Sequence, residues 1–457
     1  MSRRFFGGAT VAAMMRGASL SDSFLRFART TRWLVVFVPV GCLAVNLLLP
    51  HLPATPRGVM TSLDYSALWL ERDPAHLAAA EDSWKPMRMA RDWLAASRER
   101  PVYQEIFFEQ GVKLQYPPSS VLWLEGLDLL PGGDWTTNEV LNGISWLAVL
   151  ATLLLSAAVL DRAARGPPSG TPVLERVLRW GLALAAGLAF YPLMRGFYLG
   201  QVQTWIDAFV AGLILAFVWG RPATSGVLAG LACLIKPQLA VLLLWGMLRG
   251  QRRFVIGQAG VLASFGVLSL GLYGFANHFD YLEVLSFIGR HGESFHPNQS
   301  VNGLLHRLLG NGNNLRWLDA FPPFDARVYA ATLASSVALL AMALFWRRSE
   351  AARAPALDLG IAIVATTLAS PVAWIHHYAV LLPLFALALP AVAESRESRR
   401  VLLCMLAAAF LLVANTYRVT NRLADTPLNF LQSYVFFGGL LFLALLYRLR
   451  SAAARTP

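Results

Sequence analysis

The stretch 224–248, TSGVLAGLACLIKPQLAVLLLWGML, is apolar enough to cross a bilayer, yet it does not read as one crossing. A spanning helix takes about 20 apolar residues, and this run supplies them. Arg221 precedes it, and Arg249, Arg252 and Arg253 follow it. Basic residues mark the cytoplasmic ends of spans, so both ends of the run belong on one side. Lys236-Pro237 stands at its middle. Proline cannot continue a helix through its own position and restricts the residue before it. The run therefore reads as two short helices that meet near the outer surface, with Lys236 at the turn.

The same logic extends outward along the chain. Of 457 residues, 56% are hydrophobic and only 14% are charged. Soluble domains carry about 25% charged residues, so the deficit corresponds to lipid-facing surface. The net charge of +12 sits largely in short arginine-rich loops. Membrane topology accounts for that charge, and no nucleic-acid partner is expected. Cys42, Cys233 and Cys404 all lie in apolar runs, without disulfide or zinc spacing.

Toward the N-terminus, the basic segment 1–32 precedes an apolar run at about Trp33–Leu52, which reads as an uncleaved signal anchor. A polar outer loop, about 53–117, follows. Pro118–Leu130 is too short to cross and reads as interfacial or re-entrant. Further spans are expected at about Val140–Leu160, Trp180–Tyr198 and Thr204–Trp219. After the hairpin they are expected at about Phe254–Phe275, Val328–Trp346, Ala356–Ser370, Tyr378–Ala393, Val401–Asn415 and Phe430–Leu446. A second outer loop, about 276–326, is rich in His, Asn and Gly. The expectation is an all-α polytopic membrane protein: one transmembrane domain over 33–448, about 12 transmembrane or re-entrant helices, and a short tail at 449–457. It is expected in the cell (inner) membrane, with both termini cytoplasmic.

This topology gathers the unusual polar groups on one face. Ionisable residues at membrane depth are costly and are functional suspects by default. Ser62-Leu63-Asp64-Tyr65 offers a carboxylate that reads either as a general base or as a helix cap. Gln115-Tyr116-Pro117-Pro118 makes a rigid entry to the interfacial segment. Gly200-Gln201 pairs with Lys236-Pro237, where the lysine either snorkels or meets an anion. Ser370-Pro371 leads through Trp374 to His376-His377. The histidines read as hydrogen-bond donors, since no ligand spacing for a metal accompanies them. Asn298-Gln299-Ser300 reads as a sugar contact or as a plain turn.

These motifs, in this order, resemble glycosyltransferase family 87, membrane mannosyltransferase-like proteins of GT-C architecture. The resemblance covers about residues 60–395. One departure is Ile375, where the resemblance places an acidic residue. It implies a polyprenyl-phosphate-linked sugar donor, usually mannose, used on the extracytoplasmic side, and a glycolipid or glycan acceptor. No cofactor is implied. On that basis Asp64 is the expected base. Lys236, His376, His377 and Arg195 are expected on the donor phosphate, and Tyr65, Tyr116, Gln201, Asn298, Gln299 and Trp374 on the substrates. A transporter or flippase of lipid-linked sugars, or a ligase or polymerase of lipid-linked glycans, would share the many spans and interior polar groups. No internal repeat of the kind transporters use is evident.

Overall fold

The computed structural model describes residues 41–42, 44–48, 60–96, 101–164, 173–395 and 398–455. The expected N-terminal segment and most of the first span, Trp33–Leu52, lie outside the described residues. Among those described, the regular structure is helical, with one isolated antiparallel bridge. The bundle is built from α1 (Ser62–Glu71), α2 (Asn138–Ala163), α3 (Val173–Leu188), α4 (Tyr191–Tyr198), α5 (Gln203–Val218), α6 (Pro222–Ile235), α7 (Val241–Leu248) and α8 (Arg252–His291). It continues with α9 (Ala326–Phe345), α10 (Pro355–Leu368), α11 (Leu382–Glu394), α12 (Arg399–Ala414) and α13 (Tyr434–Arg455).

The protein is an all-α membrane protein. Among the described residues, five helical segments are long and apolar enough to cross a membrane, or six if the pair α3 and α4, bent by 54°, counts as one span. A count near twelve is not reached by that criterion. Apolar segments such as α5, α6 and α10 run only 10–17 residues. The expected span Trp180–Tyr198 is broken after Leu188 because Pro192 sits in the first turn of α4, where its missing N–H is harmless but where a continuous helix would need it.

The 224–248 run is a hairpin. Gly226 packs against Phe254 and Gln258, and Gly230 against Gln258 and Val261, so α6 rises alongside α8 in the same direction. α7 ends just before α8 begins and must therefore descend. Gln258 Nε2 bridges the two arms by donating to the Leu239 carbonyl at 3.1 Å. The 14 residues of α6 rise about 21 Å, short of the roughly 30 Å hydrocarbon core. Lys236 is thus recessed below the far surface rather than placed at it.

α8 carries non-helical angles at Gly274 (φ 76°, ψ 161°), which part a long apolar arm from a second arm. The bend falls where the sequence ends its span, at Phe275. Beyond it, Phe275, Phe279 and Leu282 form an exposed apolar stripe. The inner side of this arm is tied to the preceding polar segment, where Val102 N–H donates to Asn277 Oδ1 at 2.8 Å. Nearby, Lys113 pairs with Glu293 at 2.9 Å and lies over the Trp317 ring at 3.8 Å.

At the opposite end of the bundle, Asp358 is fully buried. It accepts from Trp245 Nε1 at 2.7 Å, Arg249 Nε at 2.7 Å and Arg450 Nη1 at 2.6 Å. This network draws α7, α10 and α13 together. It also places two arginines that the charge pattern assigns to the same side at one end.

Candidate active site

Gly200-Gln201 clamps the segment that precedes residues 84–96. Gly200 has φ +68°, and a Cβ there would sit 2.5 Å from the Ala80 carbonyl carbon and oxygen. Only glycine accepts both the angle and the approach. The contact lets Asp82 and Ser83 donate their N–H groups to the Leu199 and Gly200 carbonyls, each at 3.1 Å. Gln201 Nε2 then donates to Asp82 Oδ2 at 2.5 Å, and its Oε1 accepts from Ser83 Oγ at 2.9 Å. The Tyr116 hydroxyl joins Ser83 Oγ at 2.7 Å. Gly200→Ala is expected to cost about 2 kcal/mol or more through strain alone. The check is the thermal midpoint in detergent. An unchanged midpoint would contradict the clamp.

Asp82 is an exposed residue on this wall, with its carboxyl turned toward Gln201. Burial of its surroundings raises its pKa, opposed by the Gln201 hydrogen bond and by Arg195. Arg195, on α4, donates to the Tyr65 hydroxyl at 2.5 Å and lies over the rings of Tyr65 and Tyr198. Tyr65 belongs to the first turn of α1, next to Asp64. Asp64 is exposed and closes a capping box: its Oδ2 accepts from Thr61 N–H at 2.6 Å and Thr61 Oγ1 at 2.8 Å. The helix-cap reading of Asp64 is thus realised, with Oδ1 left free of recorded partners among the described residues.

Lys236 occupies the hairpin tip, where Pro237 ends α6. Its ammonium donates to Gln203 Oε1 at 2.9 Å. His376 and His377 lie in the turn Ile375–Leu381, which packs against α4 at Gly196 and against α5, the helix that carries Gln203. In a tight 3₁₀ turn successive side chains diverge by about 120°, and these rings stand at 87° with centroids 4.7 Å apart. His376 is buried and its Nε2 has no hydrogen-bond partner among the described residues. His377 Nδ1 accepts from Trp374 N–H at 3.3 Å, which leaves Nε2 as the donor of the neutral ring.

Asn298 and Gln299 are placed differently from the expectation of sugar contact. Both are fully buried. Asn298 Nδ2 donates to the Glu293 and Pro371 carbonyls, and Oδ1 accepts from Ser300 Oγ and Ala373 N–H. Gln299 Nε2 donates to the His296 and Gln432 carbonyls, and Oε1 accepts from Val435 and Phe436 N–H. Every hydrogen-bonding position of the two amides is occupied by the chain. Asn298 pairs with Trp374 in the one antiparallel bridge, so these amides brace the turn that carries the histidines. Trp374 is half-buried against the Trp317 ring at 5.4 Å. Asn298→Ala should strand several buried groups, each costing about 1–3 kcal/mol, and depress the thermal midpoint sharply. Loss of activity at a normal midpoint would instead argue for direct contact.

The structure brings Tyr65, Arg195, Tyr116, Gln201, Lys236, His376 and His377 to one end of the bundle. The sequence reading gave no role to three further residues there. Asp82 was only one acid among several in a polar loop. Arg418 acts electrostatically on Tyr65 and Tyr434, and with Arg195 and Arg307 on His296. His296 is pushed down to about 3, first by burial and then by these arginines, and stays neutral. Asp207, buried on α5, carried a legible signal: a carboxylate inside an apolar run. Among the described residues, no group of three or more His, Cys, Asp or Glu side chains is placed to hold a metal ion.

The sequence pattern of Glycosyltransferase family 87 matches residues 114–371. The chain belongs to glycosyltransferase family 87. The matched segment holds Tyr116, Arg195, Gln201, Lys236, Asn298 and Gln299, whereas Asp64, Trp374 and the histidine pair lie outside it. The chain is also similar to a polyprenol-phosphate-mannose-dependent alpha-(1-2)-phosphatidylinositol pentamannoside mannosyltransferase of Mycobacterium tuberculosis (strain CDC 1551 / Oshkosh). The two are 28% identical over 324 residues, 67% of each chain. This family 87 member is therefore a membrane glycosyltransferase, and the cluster around Lys236 is its candidate active site.

Proposed function

We propose that the protein transfers mannose from a polyprenyl-phosphate-linked donor to a glycolipid or glycan acceptor on the extracytoplasmic side of the cell membrane, with inversion at the anomeric carbon. The observation that carries the reading is the placement of one ammonium at the hairpin tip, bonded to α5, and of two imidazoles in a turn that packs on α4 and α5, all within an apolar bundle. Such a grouping suits a lipid-linked phosphate. The polyprenol-phosphate-mannose dependence of the mycobacterial relative supports a polyprenyl-phosphate-mannose donor.

The phosphate departs as a weakly basic anion and needs no general acid. Lys236 supplies a compact charge to the phosphate, and His376 and His377 supply hydrogen bonds through Nε2. Arg195 lies close to this group and can share the developing charge. Asp64 removes the acceptor hydroxyl proton, and a single displacement by that hydroxyl inverts the centre. Tyr65, Tyr116, Gln201 and Trp374 line the approach of the sugars, while the apolar helix faces receive the isoprenoid. Asn298 and Gln299 act as positioning residues.

The deciding experiment incubates purified protein with polyprenyl-phosphate-mannose and an extracytoplasmic glycolipid extract, and follows the product by mass spectrometry. Mannosylated glycolipid with inverted configuration supports the reading. Saturable donor binding without transfer would favour a carrier of lipid-linked sugars.

A further inference from the structure

α5 presents two polar side chains one helical turn apart, Gln203 and Asp207, and both are fully buried. Residues four apart share a helix face, so the pair forms one polar line in an apolar helix. Gln203 Nε2 donates to Asp207 Oδ1 at 2.7 Å, and Gln203 Oε1 accepts from Lys236 Nζ at 2.9 Å. One amide thus stands between a buried carboxylate and the hairpin-tip ammonium.

The spacing matters chemically. A carboxylate in direct contact with Lys236 would neutralise it locally and occupy its donors. Held one amide away, Asp207 still offsets the cost of placing a cation beside His376, His377 and Arg195 in a low-dielectric interior. Lys236 uses one N–H on Gln203, which leaves two more for a phosphate. Asp207 itself is fully buried.

We infer that Asp207 is a positioning residue for the transfer reaction: acting through Gln203, it holds the Lys236 ammonium charged and aimed at a lipid-linked phosphate. This rests on the reading of Lys236 as the phosphate-binding cation. Asp207 and Gln203 touch neither substrate.

The test is a double-mutant cycle on the full chain in nanodiscs, reading the affinity for a polyprenyl monophosphate and the kinetics of transfer. Asp207→Asn keeps the shape and the hydrogen bond from Gln203 and removes only the charge. It should weaken polyprenyl monophosphate binding about tenfold and raise KM more than it lowers kcat. In a Lys236→Gln background the same change should cost nothing further. It should also raise the thermal midpoint, because a buried carboxylate without its cation is destabilising. Multiplicative losses in the two backgrounds would mean that Asp207 is merely structural, and would overturn the inference. So would Asp207→Asn binding like wild type while Lys236→Gln binds poorly. Normal binding by Lys236→Gln itself would overturn the phosphate reading of Lys236 and this inference together. If Asp207→Asn does not fold, Gln203→Met is the second probe. It severs the relay without touching either charge and should weaken binding by a similar factor, and wild-type affinity in that variant would overturn the proposal.

Discussion

Asp64→Asn is expected to lower sugar transfer by about 10³-fold while polyprenyl-phosphate-mannose still binds within about twofold of wild type. General-base catalysis is worth about 10²–10⁴-fold, and an amide cannot take the acceptor proton. The fold should survive, because the substituted side chain keeps a carbonyl oxygen for Thr61, whose N–H and hydroxyl now meet Asp64 Oδ2. The unpartnered Oδ1 is the oxygen that the proposed mechanism uses. Single-turnover kinetics with pre-bound donor separates the chemical step from binding. If Asp64→Asn turned over within tenfold of wild type, the base would lie elsewhere. Asp82, exposed beside Gln201 and under the influence of Arg195, would be the next residue to substitute.

Lys236→Ala is expected to raise the donor KM and lower kcat together, with a combined loss of about 10²–10³ in kcat/KM. Fixed donors aimed at developing charge contribute on that scale in a site closed to water. Lys236→Arg should rescue little. The guanidinium is a planar fork on a longer reach, and the tip between α6 and Pro237 is built around a point charge that meets Gln203. Initial-rate measurements over a range of donor concentrations decide the matter. A change confined to kcat, with donor KM unaltered, would remove Lys236 from the phosphate and leave the histidine pair as its only holders.

The membrane class and the hairpin were legible because they rest on signals of composition and charge that tertiary packing does not rewrite. Arg221 and Arg249 sit at the two ends of one apolar run, and Lys236-Pro237 marks its fold point. The depth of the tip was not legible, since it follows from how short α6 is. The residues proposed for the site stand out in the sequence where a charged or titratable residue interrupts an apolar run, as with Lys236 and His376-His377. The amides are harder to read, because an amide can serve either the chain or a sugar. Asn298 and Gln299 have the composition of a sugar contact, and only the partners of their four hydrogen-bonding positions reveal the brace. Asp207 obeyed the same rule as Lys236 and was passed over because its run reads as an ordinary span.

The bend at Gly274 should make transfer depend on bilayer thickness. The arm of α8 before the bend is about 33 Å long if helical throughout, close to one hydrocarbon core, and the stripe of Phe275, Phe279 and Leu282 turns sideways at its end. A thicker bilayer would bury that stripe below its preferred depth, and a thinner one would lift it toward water. Mismatch costs only fractions of a kcal/mol per Å. Asn277 and Lys113 tie the second arm to the loop residues Val102 and Glu293, so even a few Å would reach those loops. In vesicles of graded acyl length, transfer should therefore peak at one thickness, and Gly274→Ala should broaden that peak.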